Sequence, residues 1–267
     1  MRKAFYPYKR KCTQGFTLIE ILVVISIVAI LMAFIFPSVM KAKESATATA
    51  DLSQLSQINK AFLMYISDHD GRYPPAIIES SDEGGVRIPG IPGRSAVYTW
   101  VHRIFPYVKS LETFWSPATK NCKVPGRKFN FRDKNEEFAY YFGYCPSWGY
   151  NSQYFSPNEI PIYESKIQDP TQTILLSTST CAGLGHAKEV KKVGHYKIFP
   201  PSKKLDWNPK LQTSKEHAKA YGSIWPRFRS GTAANTAFAD GHVKTLKIED
   251  LKQEELWQVQ KGVSWKD

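Results

Sequence analysis

Hydrophobic and polar residues alternate differently in different parts of the chain, and the first quarter carries the strongest pattern. Residues 16–36 are apolar apart from Thr17, Glu20 and Ser26. Residues 39–66 are amphipathic, and the apolar positions on one helical face are Leu52, Leu55, Ile58, Phe62 and Ile66. The two patterns together predict one helix over residues 16–67, with an amphipathic second half that packs on a folded head.

The length of the apolar run predicts a transmembrane segment over about residues 16–37. About 21 helical residues at about 1.5 Å rise each would cross the hydrocarbon core of a bilayer. Pro37 follows the run and predicts a kink in the helix, because proline cannot donate the backbone hydrogen bond. The stretch from Asp68 to Gly71, followed by Pro74 and Pro75, ends the helix.

Residues 68–267 predict an α+β head with long loops. Loops are expected at 71–93, 121–135 and 200–226, and a helix broken at Pro106 is expected within 97–108. Strands are expected at 138–144, 173–179 and 193–199. Asp240-Gly241 predicts a two-residue hairpin turn between apolar strands, and a short amphipathic helix is expected over 248–259.

Glu20 is unusual because a carboxylate inside an apolar membrane segment is costly and needs a partner. The stretch from Gly15 to Ile25, with Pro37 after it, resembles the N-terminal processing motif of type IV pilins and type II secretion pseudopilins. The resemblance implies a pilin-like fold, with a long helix packed on a mainly antiparallel β-sheet head. It also implies that a prepilin peptidase cuts between Gly15 and Phe16 and that Phe16 becomes N-methylated.

The same resemblance implies that Glu20 meets the N-terminus of a neighbouring subunit during assembly. The expected partners are the prepilin peptidase, other pilin or pseudopilin subunits, the inner-membrane assembly platform and membrane lipid. Residues 1–15 form a basic leader, which the positive-inside rule keeps in the cytoplasm. The head is then expected in the periplasm or outside the cell, first on a single-pass protein and later in a filament.

Three other interpretations of the N-terminus stay open. A secretory signal peptide also has a basic start and an apolar centre, but this run is long and lacks a small-residue cleavage site before Pro37. A plain single-pass segment that is never processed would need neither Gly15-Phe16 nor Glu20. The functional alternative to a filament subunit is a membrane-anchored extracytoplasmic binding protein or enzyme.

The C-terminal segment Phe238–Lys244 gives a second resemblance, to a large group of pilin-like proteins with a histidine, nine residues and Asp-Gly. In this chain Ser230 occupies the position of the histidine. The departure puts in doubt any chemistry assigned to the segment, and a structural hairpin turn at Asp240-Gly241 is the favoured interpretation.

Composition adds two expectations. The formal net charge of +12 would favour acidic partners, but no basic-aromatic motif is visible and nucleic acid is not an expected ligand. The cysteines are Cys12, Cys122, Cys145 and Cys181. A disulfide between Cys122 and Cys145 is the first expectation in an oxidising compartment, although the sequence does not settle the pairing.

No catalytic or cofactor-binding residue is predicted. The six histidines have no metal-binding spacing, and no nucleophile or phosphate-loop motif is present. Asp68 and Asp70 have the spacing of part of a calcium loop but lack its downstream ligands. A helix-ending turn is therefore favoured at these residues, with calcium as the one cofactor left open.

Overall fold

The structure is a computed structural model of the chain, and it forms two compact units, residues 1–43 and 44–267. It describes residues 17–78, 86–87, 94–95, 98–119, 142–143, 145–179, 194–200, 224, 226–229 and 231–263.

Helix α1 spans Leu18–Asp68 and has 51 residues, which confirms the predicted long helix. It continues through Pro37 without a break, and the kink at that residue stays a prediction. At the C-terminal end, the amide of Gly71 donates to the carbonyl oxygen of Ile66 at 2.9 Å. Asp70 is left-handed there, with φ of 52°. This pattern is a Schellman motif, which satisfies the last helical carbonyls.

The head contains a five-stranded sheet in the order β7-β5-β6-β8-β9. Its strands are β5 (Trp148–Asn151), β6 (Ile174–Thr178), β7 (Lys197–Ile198), β8 (Ala233–Phe238) and β9 (Val243–Lys247). All neighbouring strands are antiparallel except β5 and β7, which are parallel. The long helix with a mostly antiparallel sheet confirms the predicted α+β class.

Short elements surround this sheet. Strands β1 (Ile77–Ile78) and β4 (Tyr98–Thr99) pair, as do β2 (Val86–Arg87) and β3 (Arg94–Ser95). The segment predicted to be a loop over 71–93 therefore contributes strands. Three more helices are α2 (Trp100–Val108), α3 (Ser152–Phe155) and α4 (Ile248–Leu251).

Three local predictions were wrong. Helix α2 is not broken at Pro106, because that residue lies in its last turn. Phe142 is helical, so the predicted strand 138–144 fails there, and most of its other residues lie outside the described ranges. The amphipathic helix expected over 248–259 is replaced by α4 and a 3₁₀ turn at Glu254–Leu256.

The hairpin between β8 and β9 exists, but its turn differs from the prediction. The Gly241 amide donates to the Phe238 carbonyl at 3.1 Å, and the Phe238 amide donates to the His242 carbonyl at 3.0 Å. Gly241 has φ of 101°, whereas Asp240 has no positive φ. A type I′ two-residue turn needs two positive φ values, so this is a three-residue loop that ends on a left-handed glycine.

The core lies between the second half of α1 and the sheet. Leu55, Ile58 and Phe62 are fully buried on the predicted helical face. The ring of Phe62 lies 5.3 Å from that of Trp100 and 5.5 Å from that of Tyr150. These tilted aromatic contacts attach α1 to α2 and β5, which places the C-terminal half of the helix inside the head.

Candidate functional site

The first half of α1 is the candidate site, and its apolar side chains are exposed in the single chain. Every large apolar side chain from Leu18 to Met40 is between 46% and 80% exposed. By length and composition α1 could cross a membrane. A helix from the core of a soluble protein would be mostly buried, whereas this half of α1 is exposed within the described part of the chain.

Glu20 is the only charged residue between Leu18 and Met40, and it lies in the first turn of the helix. Its Oε2 accepts hydrogen bonds from the backbone amide and the hydroxyl group of Thr17, both at 2.8 Å. The Glu20 amide donates in return to Thr17 Oγ1 at 3.3 Å. This reciprocal arrangement is a capping box, with Thr17 as the N-cap of α1.

The capping box leaves half of the Glu20 carboxylate available. The other oxygen, Oε1, accepts no hydrogen bond from any residue that the structure describes. An amine brought close to the start of α1 could bind to this oxygen without breaking the cap. Sequence reasoning predicted a role for Glu20, but the capping contribution of Thr17 was missed; its signal is the Thr-x-x-Glu spacing.

Several predicted residues lie outside the described part of the chain. They are Gly15 and Phe16 at the predicted cleavage site, Cys122 of the predicted disulfide, and Ser230 at the histidine position. Cys145 is described and is buried. The cleavage, the methylation and the disulfide stay predictions.

The two calcium candidates take part in the end of α1. Asp70 is the left-handed residue of the Schellman motif, and Asp68 Oδ2 accepts a hydrogen bond from the Tyr107 hydroxyl at 3.0 Å. Within the described ranges, no three His, Cys, Asp or Glu residues converge on a point that could hold a metal ion. The helix-ending turn accounts for both aspartates, and calcium binding stays untested.

The Asp240-Gly241 turn packs on α1. Asn59 Nδ2 donates to the carbonyl oxygens of Phe238 at 3.0 Å and His242 at 3.4 Å. A Cβ atom on Gly241 would lie 2.8 Å from Cδ1 of Leu63. The positive φ therefore favours glycine, and a larger residue would also have to displace the Leu63 side chain, which gives the turn a structural role.

A second polar contact between α1 and the sheet was missed by sequence analysis. Asp51 is 0% exposed, although its neighbours in sequence suggest a polar face. Its Oδ2 accepts from Asn235 Nδ2 at 2.7 Å, and the same nitrogen donates to the Ala48 carbonyl at 3.1 Å. The available signal was spacing, since residues 51, 55, 58 and 62 follow one helical face.

A long apolar N-terminal helix followed by a head with a mostly antiparallel sheet is the α+β arrangement of pilin-like proteins. The family model for the prokaryotic N-terminal methylation motif matches residues 10–36. Over 90 residues, the chain is 32% identical to the type II secretion system core protein G of Klebsiella michiganensis. The chain is therefore similar to type IV pilins and pseudopilins over its methylation motif and over a stretch of 90 residues.

The similarity to the secretion protein is limited in extent. It covers 34% of this chain and 61% of that protein, so the chain spans less than two thirds of its relative's length. No solved structure matches the chain. The activity and partners of the whole protein are therefore a matter for proposal.

Proposed function

We propose that the chain is a structural subunit of a type IV pilus-like or type II secretion filament. The observation that carries this proposal is the exposed apolar half of α1, with Glu20 as its only charged residue. Packing such helices side by side would replace lipid contacts with helix contacts. The head would stay outside the cytoplasmic membrane, because the basic residues before Gly15 favour the cytoplasmic side.

Processing is the first step of the proposed function. A prepilin peptidase cuts between Gly15 and Phe16, and Phe16 then carries an N-methylated amine. This cut removes the basic leader and places a positive charge two residues before the start of α1. The match of the methylation motif to residues 10–36 supports this step.

Glu20 provides the second step. In a membrane the carboxylate is poorly solvated, so an opposite charge stabilises it. The amine of Phe16 on a neighbouring subunit would bind Oε1 while Thr17 still holds Oε2. Pairing of these groups would set the stagger between adjacent helices as the assembly platform adds each subunit.

The first test is mass spectrometry of the N-terminal peptide, prepared from membranes of the native host. A peptide that begins with N-methylated Phe16 is the expected result. An intact leader would contradict the proposal and favour a membrane-anchored binding protein or enzyme. Cleavage after the apolar run would indicate simple secretion.

The second test separates the charge of Glu20 from its capping role. Glu20→Ala should leave the leader cleaved but reduce the filament yield strongly. Glu20→Gln can still accept the Thr17 hydrogen bonds but carries no charge, and we expect it to fail in assembly as well. Ser26→Ala is the matched control, because the Ser26 hydroxyl only donates to the Val23 carbonyl within the same helix, at 2.7 Å. Normal filament yield from Glu20→Gln would contradict the pairing of Glu20 with an amine.

A further inference from the structure

Asp51 is a fully buried carboxyl group on the face of α1 that packs against the sheet. Asn235 donates to one of its oxygens at 2.7 Å, and the Thr245 hydroxyl donates to Asn235 Oδ1 at 2.7 Å. The other oxygen, Oδ1, has no hydrogen-bond partner among the described residues. Nε1 of Trp148 in β5 is also buried and has no acceptor there. The clearest hydrogen bond to the carboxyl group is therefore the one from Asn235, while Ser116 and Trp148 also lie near enough to act on it.

Four groups from different parts of the head act on this carboxyl group. Ser116 follows the 3₁₀ turn Leu111–Phe114, Trp148 lies in β5, and Asn235 lies in β8. All three are uncharged. Arg227, just before β8, is the charged group that acts on Asp51, and its guanidinium donates to the Ser179 carbonyl at 2.8 Å.

Burial is the strongest influence on Asp51. Loss of solvent raises the pKa of this carboxyl group, although Ser116, Asn235, Arg227 and Trp148 all act to lower it. An ionised carboxylate is therefore more costly at this buried position than a protonated carboxyl group.

We propose that the packing of the second half of α1 on the head is a pH-responsive contact, which protonation of Asp51 strengthens and ionisation weakens. The contact is formed by the α1 face around Asp51, Leu55 and Phe62. This inference concerns residues 44–263 and does not depend on the proposed assembly function.

The direction of the effect follows from proton linkage. A group whose pKa is raised in the folded state binds its proton there at pH values where the unfolded chain has lost it. The stabilisation is complete below the ordinary aspartate pKa and disappears as the pH rises through the raised value. Within this window the ratio of folded to unfolded protein falls by up to about tenfold per pH unit.

Two buried histidines act in the opposite direction. Burial lowers the pKa of His195 to about 3 and that of His102 to about 4. Both must remain neutral in the folded protein. Their contribution to folding stability is therefore complete above the ordinary histidine pKa and is lost as the pH falls. The effect of Asp51 must therefore be measured as a difference between two variants that share both histidines.

The test is urea unfolding of the full chain in detergent micelles, followed by tryptophan fluorescence between about pH 4.5 and pH 8. The measured quantity is the folding equilibrium constant of Asp51→Asn divided by that of the wild type. We expect this ratio to rise by up to about tenfold per pH unit and then to become constant. Glu249→Gln is the matched control, because it also replaces a carboxyl group by an amide, but at an exposed position at the start of α4. A constant ratio for Asp51→Asn would overturn the proposal.

Arg227→Gln tests the same contact by removing the charged group that acts on Asp51. It removes the countercharge, so it should weaken folding more at high pH than at low pH. In the Asp51→Asn background the same substitution should have an effect that is independent of pH. If Asp51→Asn does not fold, Arg227→Gln alone decides. A loss of folding stability that increases with pH supports the proposal, and a loss that is the same at every pH overturns it.

Discussion

The two halves of α1 place similar side chains in opposite environments. Phe34 is 78% exposed, whereas Phe62, 28 positions later in the same helix, is 0% exposed. The second half has one apolar face, and the head of the same chain covers it. The first half is apolar on all sides, and its large apolar side chains are exposed in the part of the chain that the structure describes. Continuous secondary structure therefore does not imply one function, since the sequence of each half decides what must cover it.

The comparison also separates two uses of acidic residues in one helix. Glu20 caps the first turn and keeps Oε1 available to a partner from outside the chain. Asp51 is buried in the head and accepts a hydrogen bond from Asn235 in β8. The same chemical group thus serves assembly in our proposal for the first half, and the internal stability of the head in the second.

Replacing Phe34 and Phe62 by alanine tests the difference between the two halves of α1, and it should give the largest effect. Phe62→Ala removes a fully buried ring that contacts Trp100 and Tyr150, which should lower the free energy of unfolding by about 3–5 kcal/mol. Phe34→Ala makes the same chemical change on the exposed half and should leave unfolding of the head unchanged. Urea unfolding of the full chain in micelles measures both. Equal losses from the two variants would mean that the halves are not independent.

Most of the difference between the two halves of α1 can be predicted from the sequence, because this difference depends on local patterns of apolar and charged residues. An apolar run with Glu20 as its only charge and a stripe with helical spacing are visible without knowledge of the fold, and so is the buried strand β6. The contact between Asp51 and Asn235 joins residues 184 positions apart, so no local pattern could reveal it. The parallel pairing of β5 with the short strand β7 was missed for the same reason.

The hairpin turn shows a different limit of sequence analysis. Asp-Gly correctly indicated a turn, but the loop length depends on how the hairpin packs against α1. A Cβ atom on Gly241 would lie 2.8 Å from Leu63 Cδ1, so a larger residue there would have to displace the Leu63 side chain. The position of α1 relative to the hairpin is a tertiary property, which the dipeptide alone does not contain.

Gly241→Ala tests how closely the second half of α1 is packed, and an intermediate effect is expected. The new methyl group would lie 2.8 Å from Leu63 Cδ1, and the residue would keep φ of 101°. Strain and overpacking together should destabilise the protein by about 2 kcal/mol. Gly262→Ala is the matched control, because Gly262 has φ of 81° but no atom within 4 Å of the new Cβ. If both variants lose the same stability, the closeness of Leu63 is not the cause.

Thr17→Val gives the smallest expected effect and tests the first half alone. The substitution keeps the shape of the side chain but removes the hydroxyl that bonds to Glu20 Oε2 and to the Glu20 amide. Loss of an N-cap should cost about 1 kcal/mol, confined to the start of α1. Faster hydrogen exchange at the amides of Glu20 and Ile21 in micelles, with unchanged unfolding of the head, would confirm this expectation.

Thr49→Val is the matched control for Thr17→Val. Its hydroxyl donates to the Ser45 carbonyl at 3.0 Å inside the helix, where every backbone amide already has a helical partner. Exchange near Thr49 should therefore stay slow. If both variants speed exchange equally, the hydroxyl of Thr17 has no special role at the helix start. If only Thr17→Val does, Glu20 is oriented by Thr17 of its own chain, which is the orientation that our proposed pairing with an amine requires.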